Sequence, residues 1–150
     1  MSATVLAPLT GTLTPLAQVP DPVFAQGIVG PGFAIIPAAD STIEVLSPVA
    51  GTIAKVHPHA FVVAGEDSTI LVHLGLDTVK LEGEGFEVLI QAGDEVTAGQ
   101  TVVRWDPTVS VEHGYHLHCP VVFLDPSFPG PDAVNFGAAI ECGEPVFELS

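Results

Sequence analysis

Basic residues are almost missing from this 150-residue chain: Lys55, Lys80 and Arg104 stand against 18 acidic residues, a formal net charge of −15. A surface of that sign repels phosphate backbones and anionic lipid, which argues against nucleic-acid binding and against electrostatic docking on a membrane. It attracts basic protein surfaces instead, over a range that salt shortens. Cysteine is scarce as well. Cys119 and Cys142 are too few for a disulfide scaffold and are expected as a reduced, buried pair. No uninterrupted apolar run approaches the roughly 18 residues of a membrane helix, so direct membrane insertion is not expected. The 47% hydrophobic content is therefore read as core. The opening MSATVLAPLTG lacks the basic region and the sustained apolar stretch of a secretory signal, which makes a cytoplasmic protein the expectation. Helical patterns are also thin. Only DPVFAQGIV (21–29) offers a turn, with Asp21 as cap and Pro22 at the first position.

Fifteen glycines and 14 prolines are spread along the chain rather than gathered into a linker. Between them lie short β-rich runs: GTLTPL, GFAIIP, TIEVL, GTIAKV, AFVVA, TILVHL, FEVLI, TVVRW, PVVFL and PVFEL. Many short strands punctuated by Gly and Pro predict an all-β fold in one domain, residues 1–150. A compact antiparallel β-sandwich or barrel-sandwich hybrid, with at most short helical turns, is expected. APLTGTL (7–13) and SPVAGTI (47–53) share P-x-x-G-T followed by an aliphatic residue, which points to an internal duplication. IQAGDEVTAGQTVV (90–103) places tight turns between short strands, as in lipoyl and biotinyl carrier domains. Such carriers need a lysine at a hairpin tip, and neither Lys55 in TIAKVH nor Lys80 in TVKLEG stands in that setting.

The six histidines fall into three groups: His57 and His59 in KVHPHAF, His73 in TILVHLGLDTV, and His113, His116 and His118 in VEHGYHLHC. If residues 60–64 and 68–73 form a hairpin in which Ala64 faces Ser68, His59 faces His73. Directly opposed residues share a sheet face, with Cβ atoms about 4.5–5.5 Å apart. An even-numbered loop would send the two rings to opposite faces, so the sequence permits the pair without requiring it. A close histidine pair suits metal binding or phosphoryl carriage. In the second, neutral imidazole attacks phosphorus while its neighbour donates a hydrogen bond to the phosphoryl oxygens. Leu71, Val72, Leu74, Phe61 and Val62 could supply a dry rim against hydrolysis, and each is also ordinary core material.

HAF (59–61) and ILVHLGLDTVKLEGEGF (70–86) closely resemble the active-site region of glucose-type enzyme IIA. These are phosphocarriers of the bacterial phosphoenolpyruvate-dependent sugar phosphotransferase system. VPDPVFAQGIVGPGFAIIP (19–37), SPVAGTI and AGDEVTAGQTV resemble the same family, and the likeness runs from about Ala7 to Trp105. It implies that His73 is phosphorylated on Nε2 and that His59 steadies the phosphoryl group. It further implies that the Gly75 carbonyl fixes the His73 tautomer, and that Asp77 orients His59 or meets an arginine of the donor. Asp21, Phe24, Ile28, Val29 and Val79 match the family's docking rim, with Phe61 added from the apolar neighbourhood. The implied partners are the phosphocarrier HPr as donor and a IIB domain of a sugar permease as acceptor, with regulated transporters or enzymes as further ones. No cofactor and no metal are implied. His57 stands where relatives often carry threonine, and Glu112 to Gly137 is less like the family.

GYHLHC (114–119) resembles the H-L-H element of lysostaphin-like zinc endopeptidases, a rival reading from another class. Those enzymes also need an H-x-x-x-D pair, and the matching stretch here is GPGFA (30–34). His116 and His118 alone fall short of the three protein ligands a catalytic zinc usually has.

Overall fold

Residues 3–26, 30–38, 41–65, 68–124, 134 and 136–149 are described in the structure, a computed structural model. Their strands are β1 (Ala3–Leu6), β2 (Gly11–Pro15), β3 (Gly32–Ile36), β4 (Ile43–Leu46), β5 (Gly51–His57), β6 (Ala60–Gly65) and β7 (Thr69–His73). There follow β8 (Phe86–Val88), β9 (Glu95–Val96), β10 (Thr101–Trp105), β11 (Cys119–Phe123), β12 (Ala139–Ile140) and β13 (Pro145–Leu149). All ten β-rich runs of the sequence become strands. Among the described residues two short α-helices, α1 (Pro22–Ala25) and α2 (Thr108–Glu112), and two 3-10 turns at Leu16–Gln18 and Thr78–Leu81 interrupt them. The first forms as its sequence predicts: Asp21 caps it by accepting the Val23 N–H at 2.9 Å, with Pro22 inside the first turn. The second was not legible as a helix. Asp106 starts it by accepting from both the N–H and the hydroxyl of Thr108, at 3.1 and 2.6 Å.

The strands pair antiparallel throughout. The large sheet runs β12-β2-β3-β11-β7-β6-β5-β9, while β1-β13 and β4-β10-β8 make two smaller sheets. The order of the large sheet is a palindrome of equivalent strands, and the duplication expected from the P-x-x-G-T repeats is written in its hydrogen bonds. Leu6 N–H donates to Pro48 O at 2.9 Å, and Leu46 N–H to Pro8 O at 2.7 Å. Gly99 N–H donates to Ser47 O and Gly143 N–H to Ala7 O, at 2.8 and 2.9 Å. The repeats thus bond across to each other as well as within themselves.

One core fills the space between the sheets. Phe33, Ile35, Phe61, Val63, Ile70, Val72 and Phe123 come from the large sheet, and Val5, Val45, Val103 and Trp105 from the smaller ones. Trp105 is fully buried, its ring stacked on Phe86 with centroids 5.9 Å apart. Strand alternation dictates what the other face of the large sheet carries. In β7, Ile70 and Val72 turn into this core and are 0% exposed, while Leu71 and His73 turn outward. A smaller apolar cluster of Leu16, Val19, Phe24, Ala34, Leu76 and Val122 packs with Leu71.

The duplication breaks where strands connect. β5 joins β6 through residues 58–59 alone, whereas the equivalent link from β2 to β3 takes residues 16–31. That longer link contains α1, whose Phe24 lies over the outer face beside His73. Cys119 is buried, but Cys142 is exposed, so the expectation of a buried pair holds for only one of two free thiols. No helix among the described residues is long and apolar enough to cross a membrane.

Candidate functional site

His73 ends β7 at the point where the chain leaves the sheet. The following loop is held by its own polar groups. Thr78 Oγ1 donates to Leu74 O at 2.8 Å, and Leu76 N–H donates to His116 O at 3.0 Å. Gly75 takes φ +77°, a left-handed conformation that glycine adopts without steric cost. Its carbonyl is thereby aimed back at His73 Nδ1, 2.6 Å away. A carbonyl can only accept, so Nδ1 carries the proton and Nε2 keeps its lone pair free. Thr78, Trp105 and Cys119 support this loop, and sequence reasoning missed all three. Thr78 lay within the family-like string without an assigned part. The other two offered no local signal, because only the fold brings them beneath Gly75.

His59 reaches His73 by a route other than the expected one. The observed register pairs Ala64 with Thr69 and Ala60 with His73, one residue away from the predicted pairing. Four residues, 65–68, lie between the paired Ala64 and Thr69, an even number, which strand alternation alone would take as separating the rings. His59, however, precedes β6 in the turn at 58–59, where strand alternation no longer dictates direction. Its carbonyl accepts the Leu74 N–H at 2.7 Å, as Pro31 O accepts the Phe123 N–H at 2.8 Å in the other half. His59 thus occupies the place of Pro31, and its ring meets His73 edge-on with centroids 5.1 Å apart. On its other side the His57 ring stacks at 5.8 Å.

The environment keeps both inner imidazoles neutral. Burial pushes His73 below its ordinary pKa, opposed by the Gly75 hydrogen bond and then by the charges of Asp21 and Asp77. Burial, followed by repulsion from His73 and His57, lowers His59 to about 4. In the unfolded chain His59 binds a proton near its ordinary 6.5, so between these values the unfolded state holds more protons. Stability contributed by neutral His59 is present above pH ~6.5 and lost as pH falls towards ~4. Urea unfolding across that window should show a falling midpoint, with a shallower slope in His59→Gln. Equal slopes would contradict the assignment.

The apolar surroundings differ in part from those expected. Phe24, from α1, packs its ring 5.3 Å from that of His73. Val72 and Leu74 are 0% exposed and belong to the main core, so they cannot form a rim. Phe61 is corrected likewise: 1% exposed and turned into the core, it offers no docking surface. Val79, at 59% exposed, and Asp21 remain at the surface near the site. Ile28 and Val29 lie outside the described residues. Asp77 forms a surface ion pair with Lys80 at 3.9 Å, and no described contact joins it to His59. On the far flank, His116 and His118 approach edge-on at 5.8 Å. Among the described residues no group of three or more His, Cys, Asp or Glu is placed to hold a metal ion, and the peptidase reading is not supported.

Comparison with known proteins agrees with this geometry. Residues 3–127 match the family model of the phosphoenolpyruvate-dependent sugar phosphotransferase system, EIIA 1. The PTS system glucose-specific EIIA component of Staphylococcus aureus (strain COL) is 48% identical over 105 residues, covering 68% of this chain and 61% of the relative. The chain thus spans about three-fifths of that relative's length. The component of the same name from Staphylococcus epidermidis is 45% identical over 124 residues, covering 81% of this chain and 73% of the relative. The solved structure of glucose permease IIA from Mycoplasma capricolum superposes with a TM-score of 0.89 at 33% identity, covering 100% of this chain and 97% of that one. The fold, the imidazole pair and these matches lead to one conclusion: the chain belongs to the EIIA 1 family of the phosphoenolpyruvate-dependent sugar phosphotransferase system.

Proposed function

We propose that this chain is a cytoplasmic, single-domain phosphocarrier that takes a phosphoryl group from HPr onto His73 and passes it to a cysteine of a IIB domain. The observation that carries the reading is the His73 Nδ1–Gly75 O hydrogen bond of 2.6 Å, with the His59 ring edge-on at 5.1 Å. The Nε2 lone pair of His73 attacks phosphorus as the nitrogen–phosphorus bond of the donor phosphohistidine breaks, returning that electron pair to the donor ring. The proton stays on Nδ1, so the phosphorylated ring is cationic. That cation is favoured by the Gly75 carbonyl and by the carboxylates of Asp21 and Asp77. A cationic ring is a good leaving group, which keeps the phosphoryl group transferable. In the onward step a cysteine thiolate attacks phosphorus and the bonding pair returns to His73 Nε2.

Neutral His59 donates one N–H to the phosphoryl oxygens, where charge must be steadied. Phe24 and the cluster behind it limit water at the reacting atom. Val23, 45% exposed, and Val79 give partners an apolar contact, and the net acidity steers basic surfaces towards it. Regulated transporters or enzymes could dock on the same face, and the sugar is chosen by the acceptor. Incubation with enzyme I, HPr and phosphoenolpyruvate should add one acid-labile phosphoryl group per chain, read by intact mass. No mass gain under conditions that phosphorylate HPr would overturn the reading.

A further inference from the structure

His57 has no part in the transfer chemistry described above, yet its ring lies beside that of His59 and nearly parallel to it, with centroids 5.8 Å apart and 25° between the planes. The two residues flank Pro58 at a tight hairpin, where His57 pairs with Ala60 and closes β5. Among the described residues no side-chain hydrogen bond holds either ring. His59 is fixed at its backbone by the Leu74 N–H, but that contact leaves both side-chain torsions free. What restrains the imidazole is packing: the His57 ring on one side and His73 on the other. No hydrogen bond joins the His57 and His59 rings among the described residues, so what they share is packing.

We infer that His57 is a positioning residue, whose ring keeps the His59 N–H aimed at the site that the phosphoryl group on His73 will occupy. This rests on the phosphocarrier reading of His73. A donor that must be ordered before it can act loses rotamer freedom on each cycle, and a stacked neighbour removes that cost beforehand. The groups facing the trio are few. Asp21 and Asp77 act on His73, and the imidazoles act on one another. Because His57 is exposed, replacing it leaves the core untouched.

The test compares His57→Ala, His57→Phe and the unaltered chain in two single-turnover measurements, uptake from phosphorylated HPr and discharge to a IIB domain. His57→Ala should slow discharge about two- to tenfold, the range of one aromatic contact, with uptake nearly unchanged. His57→Phe keeps a ring without a titratable nitrogen and should restore discharge, with the same profile between pH 6 and 8 as the unaltered chain. Discharge by His57→Ala at the unaltered rate would overturn the inference. Equal slowing in His57→Phe would also overturn it, assigning the effect to charge instead of ring packing. Failure of the unaltered chain to take up phosphate would overturn the phosphocarrier reading itself, separately from His57.

Discussion

His73→Gln should take up no phosphoryl group at all, while His59→Gln should take one up and discharge it roughly 10²–10³-fold more slowly, as expected when one preorganised donor is lost. The two variants differ because the two rings do different work. Of the two rings that meet at the site, His73 has its Nε2 lone pair freed by a carbonyl clamp on its own Nδ1, and His59 has no such clamp among the described residues. Glutamine has no nucleophilic nitrogen in that place, so no slower route remains. His59 supplies a neutral N–H, which a glutamine amide reproduces in kind but not in position. Intact mass after incubation reads the first effect, and quenched-flow discharge to the acceptor reads the second. Phosphate on His73→Gln, stable to acid or not, would refute the assignment of the nucleophile.

The second large effect is expected one step removed from the reacting atom. In Gly75→Ala the added Cβ would stand 2.8 Å from Thr78 Cγ2, 3.2 Å from His116 O and 3.4 Å from Trp105 Cζ2, at φ +77°. The left-handed backbone costs an L-residue about 1–2 kcal/mol, and the contact with a buried threonine adds to it. The loop must shift, and the carbonyl that fixes the His73 tautomer shifts with it. Displacement of a reacting group by about 1 Å typically costs 10²-fold in rate, which is the loss expected in both uptake and discharge. Gly114→Ala provides the control. Gly114 has φ +78° with nothing within 4 Å of an added Cβ, so it should lose stability alone. Equal transfer by the two variants would show that the Gly75 carbonyl does not govern His73.

The ease of reading this molecule varied with how local each cause is. Strands were legible because period-two patterning and Gly or Pro punctuation act within a few residues, as in GFAIIP and TVVRW. The cap at Asp21 was legible for the same reason. The short strands β1, β9 and β12 had no such signal, since long-range pairing defines them. The histidine pair shows the limit most clearly. Hairpin arithmetic placed His59 opposite His73 through the wrong register, and the rings meet because His59 sits in a turn. The family-like string named both residues, and the structure brings their rings together where counting along strands could not. Phe61 failed for the converse reason: its neighbours in sequence lie near the site, but alternation sends its own ring to the opposite face of the sheet.

The reciprocal bonding of the two repeats has a consequence for how this molecule comes into being. Each repeat completes its hydrogen bonds through the other, at Leu6–Pro48 and at Leu46–Pro8, and β1 pairs with β13 across nearly the whole chain. Contacts so distant in sequence place the fold among slow, cooperative folders, in which loop-closure entropy is spent before pairing repays it. The site shares that history. Phe24 arrives from one repeat, His59 and His73 from the other, and the strap that bonds Leu76 from residue 116. A half-formed chain therefore brings His59 to His73 without Phe24 beside the ring and without the bond that anchors the Gly75 loop to residue 116, so the site is complete only when both repeats have folded.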